Sequence, residues 1–419
     1  MEKKKNNKKI LIIIAVVIIS ISCICLVLFL NKGDSSIIGN TNVNAPQLVQ
    51  GMTPVKWNGS QWIETTTDDK EWYNYANKQW ANVKLADGSM FVWIPRYAYK
   101  ITKGYHGENL EYKKQSALTD STKQGGTIDI LFLDGITNTT FNNKTIDNSN
   151  TNSKNDYVVH PAFKFGNEEL QGIWIAKYEA SRTDSTDTTT GTSRIISFKN
   201  NSLSIIDYDL NNAMYYCRDM EKQDIYGWNK QNGTITKTGD IVDDNNNFDT
   251  HLMKNIEWGC VCYLAQSKFG INKEITGNTS LIGAKGGISS TTTGNETGIY
   301  DMSGQNAEFV SAYYNWGENN SNLKKYSNAT NFNKKYVDVY NSYGTDNYGD
   351  GIYETSKDKS AKRSWYEGQS DIEMSYPFFL RGKSSYSNSI YSYHTTTGDK
   401  TNDYSSYKIG FRATIVNDK

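Results

Sequence analysis

Gly298–Val310 reads GIYDMSGQNAEFV, and the way this stretch doubles back decides the fold. Tyr300-Asp301-Met302 reads as a short strand and Ser303-Gly304 as a turn. Glu308-Phe309-Val310 is a second strand that carries a carboxylate back into the molecule. Gly304 supplies the backbone freedom such a turn needs. A chain poor in long regular elements must be pinned by its turns, and this one is the expected hub.

Two helices precede it. Over Asp209–Met220, the residues Ala213, Tyr216, Cys217 and Met220 fall on one stripe at helical spacing. His251–Phe269, HLMKNIEWGCVCYLAQSKF, reads as the second helix, with Gly270 as its stop. Further upstream, Met90–Ile101 reads as strand, with Pro95 forcing a bulge or an edge position. Gly172–Ser181, GIWIAKYEAS, is another strand. Residues 119–156 read as a long surface excursion, apart from the apolar run Ile128–Leu133. Residues 182–193 and 223–249 read as polar loops. Beyond the hub, 311–364 is loop-rich, best defined at Gly349–Ser356 and Ser364–Gly368.

The N-terminus has a different character. Lys3, Lys4, Lys5, Lys8 and Lys9 precede an uncharged run over residues 10–30, long enough to cross a bilayer as a helix. Little positive charge follows it, so residues 1–9 are expected in the cytoplasm and the rest outside the cell. The run is too long for a cleaved signal peptide and lacks a small-x-small exit, which favours an uncleaved signal anchor. Ser20-Ile21-Ser22 before Cys23 is a poor match to a lipobox. Residues 31–50 read as a polar linker, and residues 51–419 as one extracellular domain.

Composition narrows the partners. Lys and Arg total 45 against 45 Asp and Glu, which gives no electrostatic argument for nucleic acid. With 29 Tyr and 10 Trp, aromatic rings can build a core where aliphatics are scarce. Beyond the apolar run only Cys217, Cys260 and Cys262 remain, an odd number with no CxxC spacing. They read as small buried hydrophobes.

Tyr300-Asp301-Met302-Ser303-Gly304 with Glu308-Phe309 resembles a segment of the formylglycine-generating-enzyme (sulfatase-modifying factor) family, a variant of the C-type lectin fold. Tyr178-Glu179-Ala180-Ser181, Ile256-Glu257-Trp258, Arg381-Gly382 and the closing Gly410-Phe411-Arg412 are similar to further segments of that family. The resemblance runs from about residue 90 to the C-terminus. It implies an α+β domain of short twisted antiparallel strands, two main helices and long loops. It also implies oxidase chemistry at a copper-binding cysteine pair shortly after Arg381-Gly382. Ser387 and Ser392 stand there instead, and hydroxyls cannot replace thiolates as ligands for a soft metal. A sister branch uses histidine-held iron, but His106, His160, His251 and His394 are scattered and read as packing or surface residues. Calcium near the hub, with Asp301 and Glu308 as donors, is a further implication. The rival reading makes Glu308 a buried carboxylate satisfied by backbone N–H groups.

Ser384–Lys408 carries the positive signal. Most of it is Ser, Tyr, Asn, Asp and His, a mixture of rigid aromatic contact area and small adaptable hydrogen-bonders. It also resembles the variable block of retroelement-diversified proteins that share this fold. The expectation is a membrane-anchored, non-catalytic surface protein that captures an extracellular protein or glycan. Tyr386, Tyr391, Tyr393, Tyr404 and Tyr407 would be its contact anchors, and Asn388, His394, Asp399, Asn402 and Asp403 its polar specificity. The alternatives are a divergent oxidase drawing thiols from Cys217, Cys260 and Cys262, and a structural envelope or pilus-associated subunit.

Overall fold

A computed structural model describes residues 43–417, apart from 103–127, 137–139, 142–143, 148–156, 183–194, 203, 206–209, 274, 276, 278–286, 303–306, 316–329, 342–347, 350, 356–364, 366–369, 372–376, 383–392 and 397–408. The architecture is α+β, mostly short strands with two α-helices. Residues 10–30 lie outside the described residues, among which no helix is long and apolar enough to cross a membrane.

The strands that position the site are β1 (Thr53–Trp57), β2 (Trp62–Glu64), β3 (Asn82–Lys84), β4 (Met90–Pro95), β5 (Tyr97–Ile101), β6 (Ile128–Phe132), β7 (Tyr157–Val159) and β8 (Gly172–Ala176). Downstream come β9 (Asp249–Leu252), β10 (Glu308–Tyr314), β11 (Asp338–Tyr340), β12 (Phe378–Arg381), β13 (Tyr393–Thr396), β14 (Gly410–Phe411) and β15 (Ala413–Val416). The central sheet runs β9-β15-β8-β4-β3-β1-β2, all antiparallel. Its middle strands β4 and β8 are buried along their whole length, and Trp93 and Trp174 face each other across them at 5.1 Å. A second sheet places β5 between β6 and β7. A third is built on β10, which pairs with β11, β12 and β14, while β12 goes on to pair with β13.

Buried arginines stand where the chain crosses between sheets. Pro95 ends β4 because it cannot donate to the ladder. The strand expected over Met90–Ile101 is therefore two, in different sheets, with Arg96 between them. Arg96 donates to the carbonyls of Phe163 and Leu170 and pairs with Glu169 at 2.8 Å. Arg412 plays the same part between β14 and β15. A crossing residue leaves carbonyls pointing inward with no ladder partner, and a guanidinium has enough donors to satisfy several.

Helix α1 (Leu210–Asp219) forms where the stripe predicts it, and Ala213, Tyr216 and Cys217 are fully buried. Helix α2 (Asn255–Ala265) starts later and ends earlier than expected. His251 and Leu252 belong to β9 and pair with Thr414 and Ala413 of β15. The Glu257 carboxylate reaches back to the Lys254 N–H at 2.8 Å and fixes the helix start there. At the other end the Ser267 hydroxyl donates to the Leu264 carbonyl, and Gly270 packs against the backbone of Ala265. Almost every side chain of α2 is buried, consistent with its near-continuous apolar sequence.

Two loop expectations change. Residues 44–49, expected as linker, are docked on the domain. Asn44 exchanges hydrogen bonds with Gly135, and Trp93 and Trp174 donate to the Asn44 and Gln47 carbonyls. Within the expected surface excursion, the excepted apolar run forms β6, and Lys144–Asp147 also pairs, in parallel with β7, burying Ile146.

Candidate functional site

The expected binding segment, 384–408, is described only as the backbone of β13. Tyr393 stands in register with Arg381 of β12, and His394 with Leu380. Tyr386, Asn388, Tyr391, Asp399, Asn402, Asp403, Tyr404 and Tyr407 lie outside the described residues, as do Ser387 and Ser392. What the structure presents in full is the frame that holds the two ends of this segment.

Glu308, the first residue of β10, has Arg381 as its register partner on one side and Gly410 on the other. The hub strand therefore brings together both boundaries of the closing segment, which are far apart in sequence.

At the first boundary the Arg381 side chain is fully buried. Its Nε donates to Asn255 Oδ1 at 2.7 Å and Nη1 to the Gly351 carbonyl at 3.1 Å. Its guanidinium lies 4.3 Å from the ring centre of Trp258. Asn255 and Trp258 both come from the first turn of α2, so that turn is the floor of the clamp. The chain then leaves β12 through Gly382 at φ 87°, a backbone state that favours glycine.

At the second boundary Arg412 places its Nε 2.8 Å from Glu308 Oε2 and donates through Nη2 to Glu308 Oε1. It also donates to the carbonyls of Ala176, Tyr300 and Asp301. Burial, reinforced by the negative charges of Glu308 and Asp301, pushes the Glu179 carboxyl well above the usual range. A Cβ on Gly410 would stand 2.9 Å from Glu179 Oε2, so the glycine of Gly410-Phe411-Arg412 makes room for that carboxyl.

Glu308 is therefore buried, as one of the two sequence readings holds, and among the described residues its partner is the Arg412 guanidinium. The same contact tests the calcium expectation. With both Glu308 oxygens on Arg412, a cation there would meet a fixed positive charge, and the residues do not fit a calcium site through Glu308.

The cysteines do not make a paired site. Cys217, Cys260 and Cys262 are free and fully buried. Burial pushes all three thiols up, away from the thiolate form that soft metals require. Cys260 lies beside Tyr97, whereas Cys262 lies under the charges of Arg381 and Arg412.

No family model matches this chain, and no curated protein matches it.

Three buried polar groups escaped the sequence reading. Glu354 accepts from the hydroxyls of Tyr99 and Tyr263 and from the Gly349 N–H, pinning the Gly349–Thr355 loop over α2. Lys177 donates to the Glu296 and Gly298 carbonyls, each at 2.7 Å, with its ammonium 4.7 Å from the Trp62 ring centre. His251 is a member of a charge network. His160, by contrast, is the packing residue expected, enclosed by Tyr97, Tyr99, Phe163 and Tyr263, and burial pushes its pKa down to about 3. A charged residue between apolar neighbours was the available signal for Lys177, in Ile175-Ala176-Lys177-Tyr178. For Glu354 there was none.

Proposed function

We propose that this chain is a membrane-anchored surface protein whose C-type lectin-like domain captures an extracellular protein or glycan through residues 384–408. Residues 10–30 are its single membrane span. The domain is a non-catalytic relative of the formylglycine-generating-enzyme fold, used as a scaffold for contact loops.

One observation carries the reading: both ends of the closing segment stand in register with Glu308 of β10, and each carries a buried arginine, Arg381 held by Asn255 and Gly351 and Arg412 by Glu308 itself. Loops are good binding surfaces when a rigid scaffold fixes their ends, because less conformational entropy is lost on capture. The segment's vocabulary of tyrosine and small polar residues suits that role. The burial of the three thiols argues against the oxidase alternative.

The test is capture on protein and glycan arrays by the full chain. Tyr386, Tyr391, Tyr393, Tyr404 and Tyr407 are replaced together by alanine in the comparison protein. The expected result is loss of the captured signals with the far-ultraviolet circular dichroism spectrum unchanged. Signals that survive the five substitutions refute the assignment of the face. Stoichiometric, thiol-dependent copper binding by the full chain would favour the oxidase instead.

A further inference from the structure

The first turn of α2 clamps Arg381 on one side and is braced on the other by a histidine. His251 is buried in β9, its ring stacked on Phe165 at 5.0 Å between centres. Its Nε2 lies 2.8 Å from Glu257 Oε1, and its Nδ1 lies 3.7 Å from Asp249 Oδ1, an ion-pair distance without a hydrogen bond. The other Glu257 oxygen accepts from the Lys254 N–H and the Thr414 hydroxyl. Glu257 therefore ties the start of α2 to β9 and β15. Within the same turn Asn255 and Trp258 hold Arg381, and Asn255 Nδ2 donates to the Tyr340 hydroxyl.

The remaining charged groups near this histidine are accounted for. The Lys254 ammonium is 3.7 Å from Glu257. Asp338 of β11 accepts from the Ile256 N–H, and its carboxyl is pushed up to about 6 by burial. Beyond Asp249 stand Arg218, the Tyr336 hydroxyl at 2.9 Å and Lys335 at 3.4 Å. Glu221, also pushed up by burial, to about 8, faces Arg218 and the Thr250 N–H rather than the imidazole. A protonated His251 presents an N–H to Glu257 and to Asp249 at once. A neutral ring cannot. With its proton on Nε2, the Nδ1 lone pair faces the Asp249 carboxylate, and with its proton on Nδ1 the Glu257 contact is lost.

We propose that protonated His251 is a latch on the first turn of α2, and that loss of its proton loosens the Arg381 clamp and weakens capture by the closing segment. The effect on capture rests on the binding reading above, whereas the latch itself needs no ligand. The sign follows from the surroundings. Burial works against the imidazolium, but Glu257 and Asp249 outweigh it and leave His251 raised above 6.5. The two-armed latch is therefore complete below that value, and its Asp249 arm is lost as pH rises through the folded one, leaving a neutral ring that holds Glu257 alone.

Hydrogen–deuterium exchange of the full chain tests this, comparing wild type with His251→Gln from about pH 6 to about pH 9 after correction for intrinsic rates. At the acid end, peptides covering Asn255–Ala265 and Phe378–Arg381 should exchange faster in the variant. The gap should reach roughly tenfold for each unit by which the folded pKa exceeds the free one, and close as pH rises. A gap that does not change with pH overturns the proposal, as does a change confined to residues 249–257. Should the variant not fold, the wild type still decides. Its His251 Cε1–H resonance must titrate above 6.5 in step with exchange of Phe378–Arg381, and a value at or below 6.5 refutes the latch. None of these readouts contains a ligand, so they can fail while the tyrosine substitutions succeed, and the reverse.

Discussion

Replacing Arg412 by methionine should cost more than replacing its partner Glu308 by glutamine, although the two form one ion pair. Both side chains are buried, so solvent screens neither. Without Arg412, the Glu308 carboxylate is left in the interior beside Glu179 and Asp301, and an uncompensated buried charge costs about 3–5 kcal/mol. The carbonyls of Ala176, Tyr300 and Asp301 lose a donor as well. Glu308→Gln is gentler because the amide keeps an acceptor oxygen for Arg412, which also keeps the carbonyls of Ala176, Tyr300 and Asp301, so the expected loss is about 1–3 kcal/mol. The double variant should cost less than the sum of the two, because it leaves no stranded carboxylate at position 308. Urea unfolding followed by tryptophan fluorescence and circular dichroism measures all three. Equal costs for the single variants, an Arg412→Met cost below about 1 kcal/mol, or strict additivity would each refute the reasoning.

Two further predictions concern the other buried charges. Lys177→Met strands the Glu296 and Gly298 carbonyls and should lower stability by about 1–3 kcal/mol in the same unfolding assay. Asp249 and Glu257 are both buried, yet Arg218 and His251 respectively bring their carboxyls down to about 2 against the effect of burial. Their contribution is present above the unfolded values near 4 and is lost as pH falls toward 2. Acid titration by circular dichroism should show that window, and Glu257→Gln should flatten it by on the order of 3 kcal/mol while lowering stability at neutral pH.

Elements whose signal is local were legible in the residues. The stripe of α1 and the second strand of the hub depend on spacing, whereas Pro95, expected as a bulge or edge position, instead ends a central strand. The start of α2 was not legible, because His251-Leu252 continues an apolar helical pattern and becomes strand only through pairing with Thr414 and Ala413, more than 160 residues away. The docking of residues 44–49 was hidden for the same reason, because its partners Gly135 and Gln171 lie far along the chain, whereas the strand at Lys144–Asp147 was hidden by its polar composition although its partner Tyr157–Val159 is near in sequence.

By itself the sequence determined an α+β chain with an apolar N-terminal run and a tyrosine- and serine-rich closing segment. Tertiary structure alone decided what Glu308 does. A carboxylate in a strand can serve backbone N–H groups, a cation or a guanidinium, and its neighbours in the chain do not distinguish them. Arg412 became its partner because the closing strand changes sheets at that residue, leaving carbonyls and a buried negative charge that only a fork of fixed donors could satisfy together.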